Sequence, residues 1–352
     1  MKIYGKEIEN CDKYFIRLKV AELLNGCELT IPLHVIKGKK EGPVLGLFAA
    51  VHGAEYYHNR IIRRIVNETD PEEINGMILA VPVANPLAFS HRSRNTPNPP
   101  ETSVDFANLN RVFPGKRLVP LFGSIEPTDV SLTMKMAAII ADEVIQKCNY
   151  VIDFHGNFQG IAQKKMLYNN TKESFELARI FGLGIIHDTI SASDAVRSQY
   201  SGLTGYAEKI GIPGICPEIG GCGFGESFEK KCEGMGVQGI RNVMIHLKMF
   251  EGEIKLPNKQ FYYRNCPHIR AIYGGYLESK MEPEGIGVGK PTREVKKGEV
   301  LGKFYNPYTF KEVEQLKAPV DGLLNYIRIS GIVDVQNEIY AVADFNGSKW
   351  IE

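Results

Sequence analysis

The chain has 352 residues, 43% hydrophobic and 24% charged, with a formal net charge of +1. That is an ordinary globular composition, long enough for one large domain plus a smaller one, and its near-neutral charge excludes a global field favouring nucleic acid or an anionic membrane. The segment Met1–Glu7 has no apolar signal core, so a cytoplasmic location is the expectation.

Residues 13 to 37 alternate polar and apolar side chains around Gly26, which predicts a β-hairpin or meander, broken at Gly42-Pro43. Val44 to Val51 is a continuous apolar strand, far short of the roughly 20 residues a membrane span needs. A helix is expected over 55–66, with Tyr56, Asn59, Ile62 and Val66 at helical spacing. A strand over 76–84 closes on Asn85-Pro86, and residues 87 to 128 read as a long functional loop. Thr128 or Asp129 is the expected cap of a helix reaching about Lys147, and the strand Tyr150–Phe154 then ends on His155. Further elements are a helix over 173–181, a strand over 184–187, a helix ending over 205–210, a strand over 215–218 and an amphipathic helix over 237–250. Such alternation predicts an α/β fold with a largely parallel sheet covered on both faces. After about residue 260 helical periodicity gives way to Gly-punctuated strands, read as a barrel-sandwich-like all-β appendage. It has no lysine in the hairpin pattern that carrier domains modify. The domain boundaries read as 1–255 and 256–352. Seven cysteines, an odd number with no C-x-x-C pair, argue against a disulfide framework or a cysteine-zinc knuckle.

Four strands of this scheme end on polar groups: His52 with Glu55, Asn85, His155, and Glu218. In open α/β sheets the ligand site lies beyond the carboxyl ends of the strands, so residues distant in sequence are expected to meet. Two imidazoles and one carboxylate, His52, Glu55 and His155, are the ligand set of a catalytic zinc site with one open position. Asp153 shares a strand face with His155 and either orients a ligand imidazole or makes an ordinary core hydrogen bond. Glu218, in an apolar strand between glycines, is costly to bury without a partner or a chemical role. It reads as a general base that takes a proton from the attacking water and delivers it to the leaving nitrogen. A structural carboxylate paired with an arginine is the competing reading. Asn110 and Arg111 in the long loop suit two-point recognition of a substrate carboxylate. Arg94 is the candidate for polarising a scissile carbonyl and stabilising its oxyanion.

Together these residues resemble the aspartoacylase and succinylglutamate desuccinylase family, a branch of the zinc-carboxypeptidase fold. The resemblance rests on His52-Gly53-Ala54-Glu55, Asn85-Pro86-Leu87-Ala88-Phe89, Asn110 to Gly115, Asp153-Phe154-His155-Gly156, Glu218-Ile219-Gly220 and the β-rich tail. It implies a mixed, mostly parallel sheet with helices on both faces, a C-terminal β domain partly covering the site, one Zn²⁺ per chain, and amide hydrolysis of N-acyl amino acids. Two departures stand out. Pro97 to Ser103 lengthens the turn before the Asn-Arg pair, and Asn108 stands where the family commonly has an acidic residue. By distance from Asn85-Pro86 the polarising arginine is Arg94, with Arg92 as competitor. Arg197 is a further candidate carboxylate contact, and Tyr273 and Tyr276 are candidates to reach the site from the β domain.

The expected function is therefore a zinc-dependent deacylase acting on a small N-acyl amino acid or related carboxylate, with no nucleic-acid or membrane partner. A zinc carboxypeptidase or cell-wall peptide amidase, and a non-catalytic binding or scaffold protein retaining the fold, are the alternatives. Oligomeric state stays open, a homo-oligomer included.

Overall fold

The structure is a computed structural model and describes residues 2–97, 108–115, 131–158, 160–168, 171–188, 202–287 and 292–352. Strands β1 (Asp12–Glu22) and β2 (Glu28–Lys37) form the expected antiparallel hairpin. β3 (Lys40–Phe48) leads through a 3-10 turn to helix α1 (Asn59–Glu68), followed by β4 (Asn75–Val81), α2 (Leu132–Glu143), β5 (Tyr150–Asp153) and β6 (Ile161–Tyr168). Then come α3 (Lys172–Phe181), β7 (Ile185–His187), α4 (Leu203–Lys209), β8 (Gly214–Gly220) and α5 (Glu226–His246). The rest is β structure: β9 (Gln260–Tyr263), β10 (His268–Arg270), β11 (Gly275–Ser279), β12 (Val300–Tyr305), β13 (Glu312–Lys317), β14 (Gly322–Arg328), β15 (Ser330–Val333), β16 (Glu338–Asp344) and β17 (Lys349–Ile351).

The main sheet runs in the order β10-β16-β14-β6-β8-β5-β3-β4-β2-β1. Its centre, β8-β5-β3-β4, is parallel, and the flanking pairs are antiparallel. The central strands are largely apolar because both faces are covered, with polar residues confined to strand ends and to Glu218. Ile61, Ile62 and Ile65 of α1, Leu177 and Phe181 of α3, and Val237 and Ile240 of α5 pack on one face. Met136 and Ile140 of α2 with Leu203 and Ala207 of α4 pack on the other. A smaller sheet, β13-β12-β11-β15, belongs wholly to the C-terminal all-β region. The main sheet is continuous with that region: β14 pairs with β6 through Tyr326↔Gln163, Ile327↔Ala162 and Arg328↔Ile161. This pairing brings C-terminal side chains beside β6 and its neighbour β8.

Several boundaries differ from expectation for physical reasons. Gly42-Pro43 does not end the hairpin region; β3 runs through it, and the interruption survives as a register shift between Lys40 and Val44. A proline lacks the N–H that a regular ladder needs, so it sits at the irregularity. Helix α2 is capped by Ser131, whose Oγ accepts from Met134 N at 3.1 Å, and it stops at Glu143, short of Lys147. The expected caps Thr128 and Asp129 lie outside the described residues. Helix α5 begins eleven residues before the predicted Val237. Its glycines Gly234, Gly236 and Gly239 dilute the helical signal, since each costs about 1 kcal/mol relative to alanine. Packing explains two of them: a methyl at Gly236 would lie 2.3 Å from Ile61 Cδ1, and one at Gly239 2.3 Å from Phe181 Cε1. They let α5 approach α1 and α3 closely.

Candidate metal centre and active site

The parallel strands β3, β5 and β8 deliver their C-terminal ends to one place. His52 and Glu55 follow β3, and His155 follows β5 by two residues. All three are buried, exposed by 4% or less. Their candidate ligand atoms lie within 4.8 Å of one another. His52 Nδ1 is 2.9 Å from Glu55 Oε1, and His155 Nδ1 is 3.1 Å from Glu55 Oε2. The outer ring nitrogens have partners of their own: His52 Nε2 is 3.1 Å from Asn108 Oδ1, and His155 Nε2 is 2.9 Å from Asp153 Oδ2. Asp153 thus holds the His155 ring through Oδ2. Outer acceptors of this kind hold the protons on Nε2, so both Nδ1 atoms would offer lone pairs to a common centre once a metal displaced any Nδ1 proton.

The electrostatics suit a cation. Burial opposes ionisation of Glu55, yet His52 and His155 hold its carboxyl well below the usual range. Burial likewise opposes protonation of His155, but Asp153 and Glu55 raise it well above an ordinary imidazole. For His52 burial wins and lowers the value. Two imidazoles and a carboxylate, with outer partners already in place, form a group that could hold a metal ion.

Glu218 lies on β8 beside His155, because His155 N donates to Pro217 O at 3.1 Å and Ile219 N donates to His155 O at 3.0 Å. Its Oε2 accepts a hydrogen bond from Gln163 Nε2. Among the described residues no arginine pairs with it. Burial lifts its carboxyl above the ordinary value, with Lys165 and His155 pulling it back down.

These groups share a cavity of about 400 Å³. Arg94, Asn110 and Arg111 line it, whereas Arg92 does not. Arg94 Nη1 donates to Glu55 Oε1 at 2.7 Å. Asn110 is tied down by Leu203 N donating to its Oδ1 at 2.9 Å, and its Nδ2 lies 3.3 Å from His155 Nε2. Arg111 Nη1 donates to Asn110 O at 2.8 Å. Partial desolvation, then the nearby Arg94 cation, lower the Arg111 pKa, a repulsion that a bound anion would relieve. Arg197 lies outside the described residues. Asn85, the fourth strand-end residue, acts locally. Its Oδ1 caps the short helix Pro86–Ser90 by accepting from Ala88 N, and its Nδ2 donates to Thr96 Oγ1.

The far wall escapes sequence reasoning. It comprises Gln163, Lys165 and Tyr168 of β6, and His268, Tyr326, Arg328 and Glu338 of the C-terminal region. Tyr273 and Tyr276 are half exposed and do not line the cavity; Tyr326 does. The i, i+2 spacing of Gln163 and Lys165 on a strand was the available signal for those two. Nothing local marks Tyr326 or Arg328, whose position depends on the β6–β14 register. Among the described residues no helix is long and apolar enough to cross a membrane.

Residues 41–247 match the model of the succinylglutamate desuccinylase/aspartoacylase catalytic domain. The N-alpha-acetyl-L-2,4-diaminobutyric acid deacetylase of Halomonas elongata is 24% identical over 329 residues, covering 89% of this chain and 85% of that protein. The product-bound ectoine utilization protein EutE (DoeB) from Ruegeria pomeroyi superposes with a TM-score of 0.77 at 20% identity, covering 96% of this chain and 97% of the other. A succinylglutamate desuccinylase/aspartoacylase from Rhodobacter sphaeroides gives 0.74 at 20% identity, covering 95% and 96%. At such identities these structures establish the shared fold.

Proposed function

The chain belongs to the succinylglutamate desuccinylase/aspartoacylase family, and on that premise we propose that it is a zinc-dependent deacylase hydrolysing the amide bond of a small N-acyl amino acid or related carboxylate. The observation that carries this reading is the buried convergence of His52, Glu55 and His155 on the cavity that Glu218 and Arg111 also line. The Halomonas relative, a deacetylase of an N-acetylated amino acid, supports the same reaction class. The cavity's modest volume and its wall of C-terminal strands favour a small substrate over a peptide.

His52, Glu55 and His155 would hold the zinc ion, which when bound would supply Lewis acidity to the acyl carbonyl and to water. Glu218 accepts the proton of the attacking water and returns it to the amide nitrogen as that bond breaks. Its raised pKa makes it a stronger base than an ordinary glutamate. Arg94 steadies Glu55 through Nη1, and the other donors of its guanidinium serve the oxyanion that develops on the acyl oxygen. Arg111, its backbone neighbour Asn110 held in place by Leu203, takes the substrate carboxylate.

The test is a panel of N-acetyl and N-succinyl amino acids alongside peptides, run with metal analysis before and after chelation. Turnover of N-acyl amino acids that disappears with the metal is expected. Cleavage of peptides alone, or activity indifferent to chelation, would overturn the proposal.

A further inference from the structure

His58 lies outside the cavity and carries no sequence signature of function, yet it touches all three chain segments that build the site. Its imidazole is 1% exposed. Nε2 is 2.9 Å from Ile219 O, next to Glu218, and Nδ1 is 3.2 Å from Glu55 O. The shorter contact assigns the N–H to Nε2, donating to Ile219 O. The ring stacks on Phe154, with centroids 6.1 Å apart and planes at 24°, and Tyr57 meets it edge-on at 4.9 Å. On its other side lies Gly156: a methyl built there would sit 2.5 Å from His58 Cε1. Phe154 and Gly156 are the two neighbours of His155. One rigid ring is thus clamped between the Glu55 turn, the His155 segment and the Glu218 strand.

We propose that His58 is a positioning residue that fixes the spacing between the ligand set and Glu218. This rests on the reading of that site given above. The physical case is that backbone bonds tie the His155 segment to β8, whereas among the described residues none joins the 52–55 turn to either of them. A side chain that follows the Glu55 turn, donates to Ile219 O and packs against Phe154 and Gly156 removes the freedom of these segments to drift. Errors of about 1 Å in such spacing can cost about a hundredfold in rate.

The experiment compares His58→Ala, His58→Phe and His58→Gln with wild type in the full chain. The metal-free proteins are titrated with Zn²⁺ against a chelator, thermal unfolding is recorded, and kcat and KM are measured per bound metal with the best N-acyl amino acid. Loss of an outer partner typically lowers metal affinity or activity by 10- to 100-fold. His58→Ala and His58→Phe are expected to lose about tenfold in Zn²⁺ affinity and about tenfold in kcat per bound metal, with KM within about twofold. His58→Gln, which keeps an N–H for Ile219 O, should recover part of both. A role in general stability alone would lower the melting temperature and leave kcat per bound metal unchanged, which overturns the proposal. So does a folded His58→Phe with wild-type affinity and kcat. Wild-type protein that binds Zn²⁺ but hydrolyses no N-acyl amino acid refutes the function, and the affinities then judge His58 alone. Wild-type protein that takes up no divalent ion overturns both.

Discussion

Replacing Glu218 by Gln removes the proton acceptor while leaving His52, Glu55 and His155 intact. In the native site Gln163 Nε2 donates to Glu218 Oε2. The substituted amide would turn its oxygen to keep that hydrogen bond, so its NH₂ would stand where the second carboxylate oxygen was. A base is thereby exchanged for a donor in nearly the same volume. General-base catalysis contributes about 10²- to 10⁴-fold, equivalent to about 3 to 5 kcal/mol of barrier. We therefore expect Glu218→Gln to lower kcat by that factor, with bound metal at the wild-type ratio and KM little changed. The assay is steady-state hydrolysis of an N-acyl amino acid with metal analysis of the same samples. The pH profile adds a second reading: the Glu218 pKa is raised by burial, so the acidic limb of wild-type kcat/KM should fall above the ordinary carboxyl value of 4.5. A folded, metal-replete variant within threefold of wild-type kcat would refute the assignment.

Arg111→Gln should raise KM for carboxylate-bearing substrates about tenfold, the low end for a charge-assisted hydrogen bond, because Arg111 is partly solvent-exposed; equal KM values would remove it from recognition. Metal uptake should release protons, because Asp153 and Glu55 keep the His155 imidazole protonated near neutrality without the ion and metal ligands must be deprotonated. Affinity should accordingly rise as pH increases toward the raised His155 pKa, and calorimetry in buffers of different ionisation enthalpy would show the release; proton-free binding refutes it. Gly239→Ala should destabilise the fold by about 1 to 3 kcal/mol through the clash with Phe181, read as a lower melting temperature. An unchanged melting temperature would contradict the close approach of α5 and α3.

The convergence of His52, Glu55 and His155 was legible in the sequence because its signals are local. An apolar run that ends on His52 and Glu55, and another that ends on His155, mark strand tips. The parallel arrangement then gathers the tips at one edge without any need to know side-chain packing. Helix periodicity was equally local for α1 and α3, and it faded in α5 only where glycines answer to neighbouring helices. Tertiary structure alone decided the rest. It selected Arg94 over Arg92 as the cavity residue, gave His155 its Asp153 acceptor and assigned Asn85 to a cap. It brought Tyr326 and Arg328 into the same cavity as His52, Glu55 and His155 through a strand pairing that spans some 160 residues of sequence. Pairing register between distant strands is set by which packing buries the most surface and satisfies the most backbone groups. No short stretch of residues carries that information by itself.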